Sequence, residues 1–178
     1  MADSKKLVPF ILSWETDKYT NNKYDKGGPT KYGITLATWR RVGYDKNGDG
    51  VLNEEDVKLL TGEDFHRVFK QNYWNACKAD QIQDQSVANM LVDFAYNSGV
   101  SRAVRYLQLT LGITADGIMG RKTLFAINKS NGERLFKRFK KTREGYLKSI
   151  AKGKQKGFLD GWLRRLSYIT YGHLKLNE

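Results

Sequence analysis

A mainly α-helical fold is predicted by three features of this 178-residue sequence. Apolar residues recur at helical spacing in segment after segment, only two prolines interrupt them, and no alternating run longer than about four residues occurs. A small β-hairpin within 19–34 is the exception the pattern allows.

Leu7, Phe10, Ile11 and Trp14 form the first apolar face, and that helix ends between Glu15 and Lys18. Residues 19–34 contain Asn21, Asn22, Gly27, Gly28, Pro29 and Gly33, so a turn-rich loop or short β-excursion follows. Thr35 can cap a short helix through Arg41. Asp45 to Asn53 is a second turn-rich stretch. Thr61, with Asp64 three residues on, has a capping-box pattern and opens a helix through Trp74, with Phe65, Val68, Phe69 and Tyr73 along one stripe. Val87, Met90, Leu91, Phe94 and Ala95 mark a buried helix that stops at Asn97-Ser98-Gly99. Ser101 begins the next, and Gly112 suits its C-terminal cap. Further helices are predicted near 122–128, 131–151 and 157–174.

The length suits one domain, or one domain with a closely packed annex. Cys77 stands alone, which excludes an internal disulfide and a Cys-rich zinc site and leaves it as a half-buried packing residue. Leu7 to Leu12 contains Pro9 and is too short for a secretory or membrane-spanning segment. The expectation is therefore synthesis in the cytoplasm without a signal peptide, as a monomer without a membrane span. The formal charge of +12 is unevenly placed: residues 1–99 carry a net −1 and residues 100–178 a net +13. A basic half suits an anionic partner or a solvated basic helix, and charge alone does not separate these. No nucleic-acid-binding module is visible, so nucleic acid is not expected as a partner. His66 and His173 show no metal spacing and are assigned no role.

Glu15 is the first candidate for chemistry. It follows Trp14 at a helix end and opens onto a glycine-rich loop. Apolar neighbours disfavour a carboxylate and so keep an acid protonated near neutral pH, as glycosidic cleavage requires. Asp25, ten residues on, can fold back across a cleft, and Thr30 or Thr35 can orient a water. A solvated surface Glu explains the same residue without any function.

The ordered motifs around it carry more. The run Glu15, Tyr19, Asp25-Lys26-Gly27-Gly28-Pro29-Thr30-Lys31-Tyr32-Gly33-Ile34-Thr35 resembles the N-terminal signature of glycoside hydrolase family 108, muramidases of lysozyme-like fold. Thr16-Asp17-Lys18 stands where that family has Gly-Gly. Asp93-Phe94-Ala95-Tyr96-Asn97-Ser98-Gly99 resembles a second family element. Leu107-Gln108, Leu111-Gly112, Asp116-Gly117, Gly120 and Thr123 resemble helical peptidoglycan-binding modules, and Gly161-Trp162 with Arg165 resembles the family's close. The resemblance implies a lysozyme-like catalytic region over 1–97 and a helical peptidoglycan-binding-like region over 98–178 packed on it. It implies Glu15 as general acid; Asp25 or a water held by Thr30 would complete the site, and Tyr19, Tyr32, Asp93 and Asn97 are the candidate sugar contacts. Asn97 serves equally well as a helix C-cap. In the second region Leu107, Leu111 and Ile118 read as core and Asp116 as a turn residue.

Residues 45–56 form an insert with the spacing of an EF-hand calcium loop. Asp45, Asn47, Asp49, the Val51 carbonyl, Asn53 and Asp56 fall at the ligand positions, with Gly50 at the sixth and Asp rather than Glu at the last. One structural Ca2+ is expected there, and none is needed for catalysis; an incidental polar turn is the plain alternative. The predicted basic helix interleaves Arg134, Lys137, Arg138, Lys140, Lys141, Arg143 and Lys148 with Leu135, Phe136, Phe139, Tyr146 and Leu147. Its apolar face docks on the fold, leaving the cations to solvent and to anionic wall polymers.

The reading is a muramidase, retaining or inverting, that cuts peptidoglycan glycan strands between N-acetylmuramic acid and N-acetylglucosamine. A lytic transglycosylase is the near variant. A wall-binding or secretion-assisting protein without activity, and a calcium-regulated adaptor, are the rivals from other classes. Access to the wall would be endolysin-like, through a holin-type pore, a dedicated secretion route or lysis.

Overall fold

Both helix starts that the sequence marks with a capping threonine are capped in the computed structural model, which describes residues 1–15, 17–21 and 28–177. Thr35 accepts from the Thr38 backbone N–H and opens α2 (Leu36–Val42). Thr61 and Asp64 form a reciprocal capping box at the start of α4 (Gly62–Phe69), which continues as one π-helical turn, Lys70–Trp74.

The chain begins with a 3-10 turn, Ser4–Lys6, and α1 (Val8–Leu12), which buries Val8, Phe10 and Ile11. A short hairpin follows, β1 (Thr30–Lys31) and β2 (Ile34–Thr35), in the register Thr30↔Thr35 and Lys31↔Ile34. An isolated bridge, Thr20↔Thr30, extends it, so the hairpin allowed within 19–34 is present. Its two-residue turn, Tyr32-Gly33, has positive φ at both positions, 51° and 70°, as a type I′ turn demands. Left-handed backbone at a tyrosine costs about 1–2 kcal/mol, which the surrounding packing must offset.

The 45–56 insert leads into α3 (Glu54–Lys58), capped by Asn53 and Asp56. It is stapled to the hairpin: the Tyr19 hydroxyl and Asn21 Nδ2 donate to Glu54 Oε2 at 2.8 and 3.0 Å, and Lys31 Nζ donates to the Lys58 carbonyl.

The central element is α5 (Gln85–Ser98), in which every residue from Ser86 to Ala95 is buried. It packs against α6 (Val100–Leu111) and α8 (Gly132–Ile150), so the expected catalytic and binding regions share one apolar core. Each large apolar side chain fully enclosed there contributes roughly 1.5–3 kcal/mol. Gly99, at φ 92°, turns the chain between α5 and α6, and Gly112, at φ 73°, closes α6. Cys77 is fully buried rather than half-buried, and burial pushes its thiol up to about 12.

The peptidoglycan-module motif proves to be a packing device. Gln108, 1% exposed, donates to Asp116 Oδ1, Thr123 Oγ1 and the Ile118 carbonyl and accepts from the Gly117 N–H. This ties α6 to α7 (Arg121–Lys129). Ile118, expected in the core, is 65% exposed, and Met119 occupies the interior instead.

Two expectations for the C-terminal half fail. The helix anticipated over 157–174 is α9 (Leu159–Ser167), preceded by a 3-10 segment, Gly153–Phe158. It gives way to a second hairpin, β3 (Ile169–Thr170) with β4 (His173–Leu174), because Gly172 takes φ 79° and turns the chain back. The cations of α8 are not all solvated either. Arg143 is 3% exposed and points into the core. Among the described residues no helix is long and apolar enough to cross a membrane.

Candidate active site

Glu15 follows α1, its backbone N–H still bonded to the Leu12 carbonyl. Three elements close around its side chain, which keeps 22% of its surface exposed. The hairpin turn covers it from one side: a Cβ added at Gly33 would lie 2.9 Å from Glu15 Oε2 and 2.7 Å from the Tyr96 hydroxyl. Only glycine therefore meets both the turn's positive φ and this contact. Tyr96, from the last turns of α5, donates its hydroxyl to the Glu15 carboxylate. Arg165, from α9, brings Nη1 to 3.9 Å from Glu15 Oε1.

Arg165 is held more firmly on its other side. Its Nη2 and Nε lie 2.7 and 3.1 Å from Asp93 Oδ1, while Arg143 Nη2 lies 2.6 Å from Asp93 Oδ2. Phe10, Trp14 and Tyr96 flank the Arg165 guanidinium with ring centroids 5.6, 5.5 and 5.9 Å away. The result is a continuous chain, Arg143–Asp93–Arg165–Glu15, running from the core to a partly open carboxyl.

Burial raises the pKa of Glu15 above the ordinary glutamate value, against Arg165 and the Tyr96 hydrogen bond, which favour the anion. Asp93 goes the other way. Burial disfavours its charge, but the two guanidiniums outweigh that and hold it below the usual aspartate range. The arrangement therefore favours the protonated form of Glu15 more than water does and fixes an ion pair behind it, a setting suited to a general acid.

The other anticipated residues are placed variously. Asp25 lies outside the described residues. Thr30 is on β1 beside the turn and donates to the Gly28 carbonyl at 2.8 Å. Tyr32 is half-buried in the turn itself, while Tyr19 braces the insert through Glu54. Asn97 is exposed at the end of α5 and donates to the Asp93 carbonyl at 2.7 Å. Asp93, anticipated as a sugar contact, is 0% exposed and reaches the site only through Arg165. Sequence reasoning placed Tyr96 and Arg165 in motifs without a role of their own and left Arg143 to solvent. One signal was available: an aspartate between Val92 and Phe94 in an apolar helix needs a buried cation as partner.

The side chains of the 45–56 insert, anticipated as calcium ligands, are committed largely to one another and to their own backbone. Asp45 accepts from the Gly48 and Gly50 N–H groups, and Asp49 from Val51 N–H, Asn47 and Asn53. Asp56, fully buried, accepts from the Lys46 and Asn53 N–H groups. Among the described residues no three His, Cys, Asp or Glu side chains converge as a metal site.

Comparison with known proteins gives the family. The family model "Glycosyl hydrolase 108" matches residues 8–99, and "Predicted Peptidoglycan domain" matches residues 102–167. The solved structure of Brucella abortus SagA is 32% identical over 93% of this chain and 90% of that one, with a TM-score of 0.73. No curated protein matches. Glu15, Gly33 and Tyr96 fall within the first matched segment and Arg165 within the second. The chain that carries them is a member of glycosyl hydrolase family 108, a glycosidase fold joined to a peptidoglycan-type segment.

Proposed function

We propose that the chain is an N-acetylmuramidase, hydrolysing the bond between N-acetylmuramic acid and N-acetylglucosamine with Glu15 as general acid. The observation that carries this reading is the Glu15 carboxyl itself: partly open, held by Tyr96, covered by the Gly33 turn and raised in pKa by burial. A raised pKa favours the protonated form that must donate to the departing sugar oxygen. As that bond breaks, positive charge develops on the sugar ring. Asp25, or a water held by Thr30, would stabilise it or supply the attacking group. Asp93 does not serve as the second carboxyl, because both its oxygens are engaged by guanidiniums.

Digestion of purified sacculi tests the assignment. Wild type is expected to release new reducing ends and Glu15→Gln is not. Equal silence from both would leave a wall-binding protein without activity, and anhydro ends would mean a transglycosylase. Access to the wall by a holin-type pore, a secretion route or lysis belongs to the same reading, as does attraction of the basic half to anionic wall polymers.

We also propose one structural calcium at 45–56, on the ligand spacing of Asp45, Asn47, Asp49, Val51, Asn53 and Asp56. Calorimetry is expected to show calcium heat in wild type that Asp45→Ala abolishes. No heat in wild type ends the proposal.

A further inference from the structure

Behind Arg165, away from the hairpin, lies a cavity of about 450 Å3. It falls within the range of roughly 300–1,000 Å3 that small ligands occupy. It is enclosed by the end of α5, the start of α6, the last turns of α8, and α9. Its wall has two chemically distinct parts. One carries the guanidiniums of Arg102, Arg143 and Arg165, and no carboxylate lines the cavity among the described residues. The other is apolar, formed by Leu147, Ile150 and Trp162, with the exposed Phe158 ring stacked on Trp162 at 6.2 Å.

Charge counting gives the sign of the occupant. Asp93 and Glu15 are the carboxyls paired with Arg143 and Arg165, and Arg102 pairs with no carboxylate among the described residues, so three guanidiniums face two carboxyls and the cavity retains a positive excess. Arg143 is 3% exposed, and its Nε is buried without a hydrogen-bond partner. Arg102 stands exposed at the rim, propped on the Tyr146 hydroxyl and the Ser98 carbonyl. Position gives the occupant's attachment. Arg165 lines this cavity and also reaches Glu15 at 3.9 Å, so a group bound here lies one guanidinium from the acid.

We propose that this cavity receives the carboxylate-bearing peptide arm of the muramic acid residue next to the cleaved bond. The proposal rests on the hydrolase reading of Glu15 and names which part of the polymer is recognised beyond the sugar. A peptide arm matches both walls, its carboxylate facing Arg102 and its short aliphatic side chains lying against Trp162 and Ile150. A phosphate polymer would satisfy the cations and leave the apolar wall unused.

Two measurements test it. The first compares glycan strands bearing their peptide arms with the same strands stripped by an amidase. Wild type is expected to show a KM about tenfold lower on the peptide-bearing strands, the order expected from one charge-assisted contact. Arg102→Gln and Trp162→Ala should collapse that preference, while Lys137→Gln, exposed elsewhere on α8, should keep it. Equal KM on both polymers in wild type, or a preference that survives Arg102→Gln, overturns the proposal.

The second measurement needs no catalysis: calorimetric titration with the free peptide arm and with its carboxamide form. Binding of the first, at least about tenfold tighter than the second, is expected. Equal binding, no binding, or displacement by oligomeric glycerol phosphate in place of the peptide overturns it. If neither polymer is cut and the peptide still binds, the hydrolase reading fails and the cavity's assignment stands. If both are cut equally and no peptide binds, the reverse holds.

Discussion

On one side of Arg165 lies Asp93, fully buried, with oxygens 2.7 and 2.6 Å from two guanidiniums. On the other lies Glu15, 22% exposed and 3.9 Å from the same guanidinium. Burial disfavours both charges, but Arg165 lies at 2.7 Å from Asp93 against 3.9 Å from Glu15 and a second cation serves Asp93 alone, so the two carboxyls shift in opposite directions. Asp93 is fixed as an anion, whereas burial wins at Glu15 and raises its pKa. Arg165 is therefore anchored by one acid and presented to the other. A free guanidinium could have closed onto Glu15 and lowered its pKa further; Asp93 restrains it.

The sharpest way to break this comparison is to neutralise each carboxyl in turn. Glu15→Gln should cost activity by about 10²–10⁴-fold, the usual contribution of a general acid, with no loss of melting temperature. The charge it removes is one that burial already disfavours. Asp93→Asn should do its damage in stability, because it leaves Arg143 and Arg165 buried without their counter-ion. A loss of about 3–5 kcal/mol in urea denaturation is expected. If Asp93→Asn proved as stable as wild type, the ion cluster would not be the structural anchor described.

The same contrast explains what could be read from the sequence. Caps at Thr35, Thr61 and Gly112 depend on neighbours within a few residues, and all three formed as expected. Glu15 stands out as a candidate through local features, an adjacent indole and a glycine-rich loop, and through the motif order around it. The ion chain was not found, because Arg165 meets Asp93 across 72 residues and the packing of α5 and of α9 against α8 brings them together. The second hairpin was missed for a related reason. Leu166, Ile169 and Leu174 mimic a continuing helical face until Gly172 turns the chain. Tyr32 at positive φ has no local signal, since a type I′ turn ordinarily selects Asn or Gly at that position.

The finest adjustment of the comparison is through Tyr96. Its hydroxyl donates to Glu15 and so favours the carboxylate, partly opposing the burial that raises the pKa. Tyr96→Phe removes that donor while keeping the ring against Phe65, Phe69 and Tyr73. The Glu15 pKa should then rise further. With Glu15 as the proposed general acid, activity is lost as pH rises through that pKa, and the basic limb of the kcat profile should move to higher pH in the variant. The stability sign agrees. A carboxyl with a raised folded pKa contributes stability that is fully present below the ordinary glutamate value and lost as pH rises through the folded value. The melting-temperature gap between Glu15→Gln and wild type should therefore shift in the variant's favour across that window. Asp93 contributes with the opposite sign, its stability present above the ordinary aspartate value and lost as pH falls through its lowered one. A basic limb that stays in place or moves down in Tyr96→Phe would mean that the hydroxyl does not donate to Glu15 in the working enzyme.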